Sequence, residues 1–397
     1  MITSNRPLVP FVAGAVVLQI ALWAETSLAG VFLVFLDMDG LLDVLPVILL
    51  AGLLALLLPV PLGVLVDRVA RRSALVWSGV AGAVALGSLV PAVLTGTVTQ
   101  VHLMLALGAV MLVAFTSVLS VEAYLPAVTG RDRFVPVNAL LYGVASAGAL
   151  ISAVTMGPLY TPLVVTVLAV PAAGFVVAAL LFRQVDVAEE PAPPRAGLWG
   201  EAVKGVRFTL THPQLRAIAV YLVALSLLQR LIARPAGSAE VLESIVLLAP
   251  LVGALAAVLL HRRTEALRLA WLAVVVTSPF ALLFAFPSGA IGYTLGEALP
   301  LAGAATAAIA LLSHRQVITP PRLLGRSGGT LLTLVALAAI PGVVLKGMAD
   351  QYLGDLGSSL VPAPAAAGVL AAAVPLIRSS RYEPSSDVEE DTPAAGS

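Results

Sequence analysis

The sequence predicts an all-α, polytopic membrane protein: twelve transmembrane helices in two pseudo-symmetric six-helix halves. Composition is the first reason. Hydrophobic residues make up 59% of the 397 and charged residues 11%, against roughly 45–50% and 25% in soluble domains. Length is the second, because apolar runs of about 20 residues, enough to cross a bilayer as helix, recur almost end to end. Charge placement is the third, since Lys and Arg collect in alternate loops.

The spans are expected at about 8–34, 41–66, 73–94, 100–121, 135–157 and 161–183, then at about 214–233, 241–261, 266–286, 289–313, 329–349 and 359–377. The first apolar stretch, Leu8 to Leu36, is too long for the 7–15-residue apolar core of a signal peptide and has only Arg6 before it, so it reads as a retained span. With the N-terminus inside, the even loops hold Arg68/Arg71/Arg72, Arg131/Arg133, Arg195/Lys204/Arg207, Arg262/Arg263 and Arg315/Arg322/Arg326. Nineteen basic residues lie inside, and only Arg230, Arg234 and Lys346 lie in the outer half or beyond. Asp37, Asp39 and Asp43 mark the outer side. The expected location is the inner or plasma membrane with both termini cytoplasmic. Twenty Arg to two Lys hints at a GC-rich bacterial genome.

Four segments follow: a first half (1–183), a linker (184–213), a second half (214–381) and a disordered acidic tail (382–397). The linker opens acidic and Pro-rich, with Glu189, Glu190, Pro191, Pro193 and Pro194. It then turns amphipathic, with Leu198, Trp199, Ala202, Val203, Val206, Phe208 and Leu210 among Glu201, Lys204 and Arg207, as in a surface helix. The halves echo one another: Leu125-Pro126, Arg131, Arg133 and Asn138 precede span 5, while Pro320-Pro321, Arg322, Arg326 and Thr330 precede span 11 about 190 residues later.

Between spans 2 and 3 stand Gly63, Asp67-Arg68 and Arg71-Arg72. A glycine admits a neighbouring helix closely. Asp67 can accept from helix N-terminal amides or from an Arg across an interface, and the basic residues can anchor to headgroups. This spacing resembles the signature loop between helices 2 and 3 of major facilitator superfamily transporters. The resemblance implies a conformational latch made by Gly63, Asp67, Arg68, Arg71 and Arg72; the plainer alternative is a positive-inside loop. At the matching place after span 8, Ala257 replaces the Gly and His261 the Asp, while Arg262 is kept. Span 5 ends in Gly157-Pro158, similar to the kinked helix 5 of drug/proton antiporters, although Ala153 replaces the first glycine of that motif and its trailing glycines are lost.

Residues 122–141, the linker from Glu201 to Arg216, and Arg315 to Arg326 look like the exporter branch that includes macrolide-efflux and enterobactin-export proteins. Pro341-Gly342 and Gly347 to Asp350 extend that likeness. Lysophospholipid transporters share much of the pattern.

Ionisable residues inside spans are costly and point to function. Glu25, with Gln19 and Trp23 near it in span 1, Arg230 in span 7 and Glu297 in span 10 are the candidates for proton coupling or the substrate cavity. In the superfamily, helices 1, 4, 7 and 10 line the central cavity. Two roles stand for Glu25: the proton-coupling carboxylate, or a partner that neutralises Arg230. Lys346 and Asp350, at i and i+4, suit an outer-edge ion pair.

Enzyme readings find no footing. The four His are scattered at 102, 212, 261 and 314, there is no Cys, and no G-x-x-x-x-G-K-[ST] occurs. No cofactor and no metal are expected. The expected function is secondary active export of an amphipathic or hydrophobic small molecule by proton antiport. A lysophospholipid-type lipid transporter and a non-transporting sensor or scaffold are the alternatives. Expected partners are the substrate, protons and the lipid bilayer, with no nucleic acid, and the chain is expected to act as a monomer.

Overall fold

The computed structural model describes residues 7–22, 41–155, 160–187, 189, 197–232, 246–285, 289–353 and 360–379. Among them there is no strand, and helices α1 to α14 account for most of the chain. The first half holds α1 (Leu8–Leu22), α2 (Leu41–Leu57), α3 (Pro59–Arg68), α4 (Arg71–Leu94), α5 (Gln100–Val128), α6 (Phe134–Thr155) and α7 (Tyr160–Arg183). α8 (Leu198–Thr211) lies in the linker. The second half holds α9 (Pro213–Leu231), α10 (Ala249–Leu260), α11 (Ala266–Thr277), α12 (Gly289–Ile318), α13 (Leu324–Tyr352) and α14 (Pro362–Ser379).

Among the described residues, eight stretches are long and apolar enough to cross a membrane, and α2 with α3 makes one more that is bent by 45°. The span expected at about 41–66 is thus bent near Pro59. Pro59, the first residue of α3, has no N–H to continue the ladder, so the chain re-enters helix in a new direction. The shorter α1 and α10, and α6, are apolar helices that border undescribed residues or lie close to them. α11 is followed by a 3-10 segment, Ser278–Ala285, which extends it over the span expected at about 266–286.

Two separate buried clusters mark the halves. One gathers Phe11, Tyr124, Phe175 and Phe182, with the Phe11 ring edge-on to Tyr124 at 5.7 Å and to Phe182 at 6.2 Å. The other gathers Leu215, Tyr221, Val274, Leu311 and Val369, and the Tyr221 hydroxyl donates to the Ala270 carbonyl at 3.1 Å. The internal echo is visible in the backbone. α5 ends at Val128, a 3-10 turn covers Arg131–Arg133 and α6 starts at Phe134; α12 ends at Ile318, a 3-10 turn covers Pro321–Leu323 and α13 starts at Leu324. The same punctuation thus recurs 190 residues later at all three boundaries (128 to 318, 131 to 321, 134 to 324). This is a multi-pass architecture of twelve membrane helices in two related sets of six.

Candidate functional site

The arginine-rich loops share one end of the bundle, and there the halves meet across two polar seams. In the first, α3 runs against the start of α13. Asp67 sits in the last turn of α3 with its side chain wholly enclosed. Its Oδ1 accepts from the Gly325 backbone N–H at 2.9 Å and its Oδ2 from that of Arg326 at 3.1 Å. Both N–H groups belong to the first turn of α13, where helix amides have no intrahelical partner and the dipole favours an anion. Arg326 Nε adds a charge contact to Oδ2 at 3.4 Å. The approach is possible because both chains present glycine. A Cβ at Gly63 would overlap the Gly325 carbonyl, and one at Gly329 would overlap that of Pro59.

The linker completes this seam. Glu201 of α8 is buried, and its Oε2 accepts from Arg68 Nε at 2.9 Å and from Arg326 Nη2 at 2.8 Å. Two carboxylates and two guanidiniums, drawn from α3, α13 and α8, therefore form a quartet of zero formal charge. Burial of charge costs several kcal/mol per ion unless each is paired and hydrogen-bonded. The quartet offsets that cost with four short charge-assisted hydrogen bonds. Gly205, one turn after Glu201, lets the Arg326 stem pass beneath α8, since a Cβ there would come within 2.5 Å of Arg326 Cβ.

α8 turns its small and acidic face toward the protein and its bulky apolar face outward. Glu201, Ala202, Gly205 and Thr209 face the protein, whereas Trp199 and Val203 are 73% and 65% exposed. The physical reason lies in the partners. Two arginines neutralise Glu201, and small residues on that face allow close contact, so the polar stripe packs better than the bulky one.

The arginines expected to reach headgroups are also engaged within the protein. Arg71 Nη2 donates to the Pro321 carbonyl at 2.6 Å, crossing between halves, and Arg72 Nη2 donates to the Arg183 carbonyl. Glu189 accepts from the backbone N–H of Arg71 at 2.7 Å and of Arg72 at 3.1 Å. It serves as a cap for α4, whose own N-cap residue, Ala70, has no side-chain acceptor.

The second seam joins α5 and α6 to α12. Glu122 pairs with Arg315, and the Glu122 carbonyl accepts from Gln316 Nε2 at 3.1 Å. Buried Asn138 donates through Nδ2 to Ser313 Oγ at 2.9 Å and to Gln316 Oε1 at 2.8 Å. The position that answers Asp67 in the second half takes no part. His261 Nδ1 lies 2.6 Å from the Val258 carbonyl of its own turn, and Ala257 is packed among Val135, Ala139 and Ile309.

Of the expected cavity residues, Glu25 and Trp23 lie outside the described residues, as do Gly157 and Pro158. Gln19 is half-buried on α1 and Glu297 half-buried on α12. Arg230 is exposed, enters no salt bridge among the described residues, and lays its stem close to Gly342 of α13. Lys346 and Asp350 form an ion pair. Glu201, Arg326, Glu122, Arg315, Asn138 and Gln316 were not singled out as site residues from sequence. All six lie in the segments that carried the exporter resemblance, which was the available signal.

A bundle of twelve membrane helices in two related halves, closed at one end by buried charge, is the major facilitator fold. Solved structures with that architecture align over nearly the whole chain. The human organic anion transporter MFSD10 matches with a TM-score of 0.74 at 16% identity, covering 94% of this chain and 99% of that one. A bacterial homologue of the iron transporter ferroportin, in an outward-facing state, matches with a TM-score of 0.70 at 18% identity, covering 93% and 100%. The E. coli fucose:proton symporter matches with a TM-score of 0.69 at 14% identity, covering 93% and 98%. No protein-family model matches the chain, and no curated protein does.

Proposed function

We propose that this chain is a secondary active transporter of the major facilitator superfamily that exports an amphipathic or hydrophobic small molecule by proton antiport. The observation that carries the reading is the charge quartet of Asp67, Arg326, Glu201 and Arg68. It joins three separate parts of the chain at the arginine-rich end, taken as cytoplasmic by the positive-inside rule. A scaffold has no need to bury four charges across a seam between halves. A transporter needs contacts that exist in one state and are lost in the other, because only differential interactions bias a two-state equilibrium. In this reading the structure is the cytoplasm-closed state, and substrate leaves on the opposite side. The second seam, Glu122 with Arg315, opens in the same step. Glu25 carries the exchanged proton, with Glu297 as the next candidate.

The aligned proteins are named for an iron, a fucose and an organic anion cargo. Their diversity leaves the substrate to experiment. Everted vesicles holding a pH gradient are challenged with lipophilic cations, macrolides, siderophore-like compounds and lysophospholipids. Expected is a compound that dissipates the gradient with wild type and not with Glu25→Gln. Compound movement that leaves the gradient intact refutes antiport, and no movement of any compound by folded protein refutes export.

A further inference from the structure

At the arginine-rich end, the first turn of α9 lies beside the last turn of α14, tied by Gln214 Nε2 donating to the Ser379 carbonyl at 3.3 Å. A groove of about 440 Å³ runs between the two helices. Arg216 and Arg378 stand at its rim, and Ala217, Val220 and Pro375 line it below. Both arginines are exposed, and neither enters a salt bridge among the described residues. The contrast with the seam is sharp, because Arg68, Arg315 and Arg326 are all committed to carboxylates. Val220 and Val374 are 46% and 43% exposed, so the apolar trough continues onto the outer face of the bundle.

We propose that this groove is a binding site for one anionic phospholipid. The phosphate lies on Arg216 and Arg378, and an acyl chain runs along Ala217, Val220 and Pro375. The inference rests on the membrane-spanning reading above and is independent of what is transported. Two cations with no carboxylate partner among the described residues, above an apolar trough, match a headgroup joined to a hydrocarbon chain. A soluble anion would use the arginines and leave the trough empty. A zwitterionic lipid would bring its ammonium group against two cations.

The fold supplies an internal control. A groove of about 390 Å³ between α4 and α7 has a similar apolar lining but one arginine, Arg183. The site also has a neighbour of consequence. His212 alone separates α8 from α9, so a lipid on Arg216 braces the strut next to the helix that carries Glu201.

The test is native mass spectrometry of the full-length protein in detergent, titrated with phosphatidylglycerol or phosphatidylcholine. Wild type is expected to retain one phosphatidylglycerol in preference to phosphatidylcholine. The double variant Arg216→Gln/Arg378→Gln should weaken that retention about 30-fold, from about 1 kcal/mol for each arginine near an anionic headgroup. Arg183→Gln should leave it unchanged. Val220→Trp, which fills the trough and spares both arginines, should also abolish retention and keeps the test decisive if the double variant misfolds. Equal retention of the two lipids, or retention that survives filling the trough, overturns the proposal. Displacement of the lipid by inorganic phosphate at millimolar concentration overturns it in favour of a soluble-anion site.

Discussion

Glu201→Gln tests the seam most directly, because one oxygen of this linker residue serves both halves. The substitution keeps shape and an acceptor but removes the charge. Each hydrogen bond to a charged group contributes about 1.5–3 kcal/mol. Glu201 Oε2 makes two, to Arg68 and Arg326, and a neutral amide keeps roughly half of each. The closed state should therefore lose about 2 kcal/mol relative to the open one, which is about a 30-fold rise in the open population. Arg326 keeps Asp67, so the seam weakens without unfolding. The chain has no cysteine, so an introduced thiol reports alone. Val66 is fully buried against Leu324 in this seam, and Val66→Cys should react with maleimide only when the seam opens. With fast opening and closing, the labelling rate follows the open population. Glu201→Gln should accelerate it about 30-fold, while a cysteine in place of exposed Trp199 should label at the same rate in both backgrounds. A rate at position 66 changed less than twofold, in protein with native thermal unfolding, would refute the assignment of Glu201 to the closure.

Gly63→Ala should also raise labelling at Val66→Cys, because the added methyl meets the Gly325 carbonyl and overpacking costs about 1–3 kcal/mol in the closed state alone. In the second seam, a double-mutant cycle of Glu122→Gln and Arg315→Gln should give a coupling of about 1–3 kcal/mol in thermal unfolding; additive losses would mean that the pair is not coupled. Glu189→Ala removes the acceptor for two α4 amides and should cost about 1 kcal/mol, read as a lowered Tm, while proton flux in vesicles persists. Deletion of residues 383–397 should leave transport intact, and loss of flux would favour a role for the tail.

Much of the fold is legible in the sequence because lipid imposes a length on every helix. The loops fixed their own end because arginine is costly anywhere else in a bilayer. Pro59 was equally visible, yet an apolar run on either side of it reads as one span, and the 45° bend appears only in space. Partners across the seams are a different matter. Asp67 meets Arg326 over 259 residues, and Arg315 meets Glu122 over 193. No periodicity spans such distances, and one sequence carries no record of which charges meet. The Asp67 position was readable because its chemistry is local: a carboxylate at a helix end, one turn from a glycine, with helix amides as natural donors. For α8 the amphipathic pattern gives two faces but not which one packs on the protein. Where the neighbours are arginines, the face with the glutamate turns inward. Helix rotation within the membrane is likewise unmarked, since lipid-facing and core-facing residues are both apolar.

The part of the chain that tethers the two halves also supplies the carboxylate that joins them. Glu189 is held at the start of α4, and Gly197, eight residues on, begins the approach to α8. Eight residues reach at most about 28 Å when fully extended. In the proposed cycle, when the quartet parts, Glu201 cannot diffuse away; it remains at a local concentration of roughly millimolar beside the arginines it left. Free chloride or phosphate must compete with that standing reservoir to hold the seam apart. Reclosure therefore waits on the rocking of the halves and not on recapture of α8, and lengthening the segment between Glu189 and Gly197 should slow it while leaving every contact of the closed state in place.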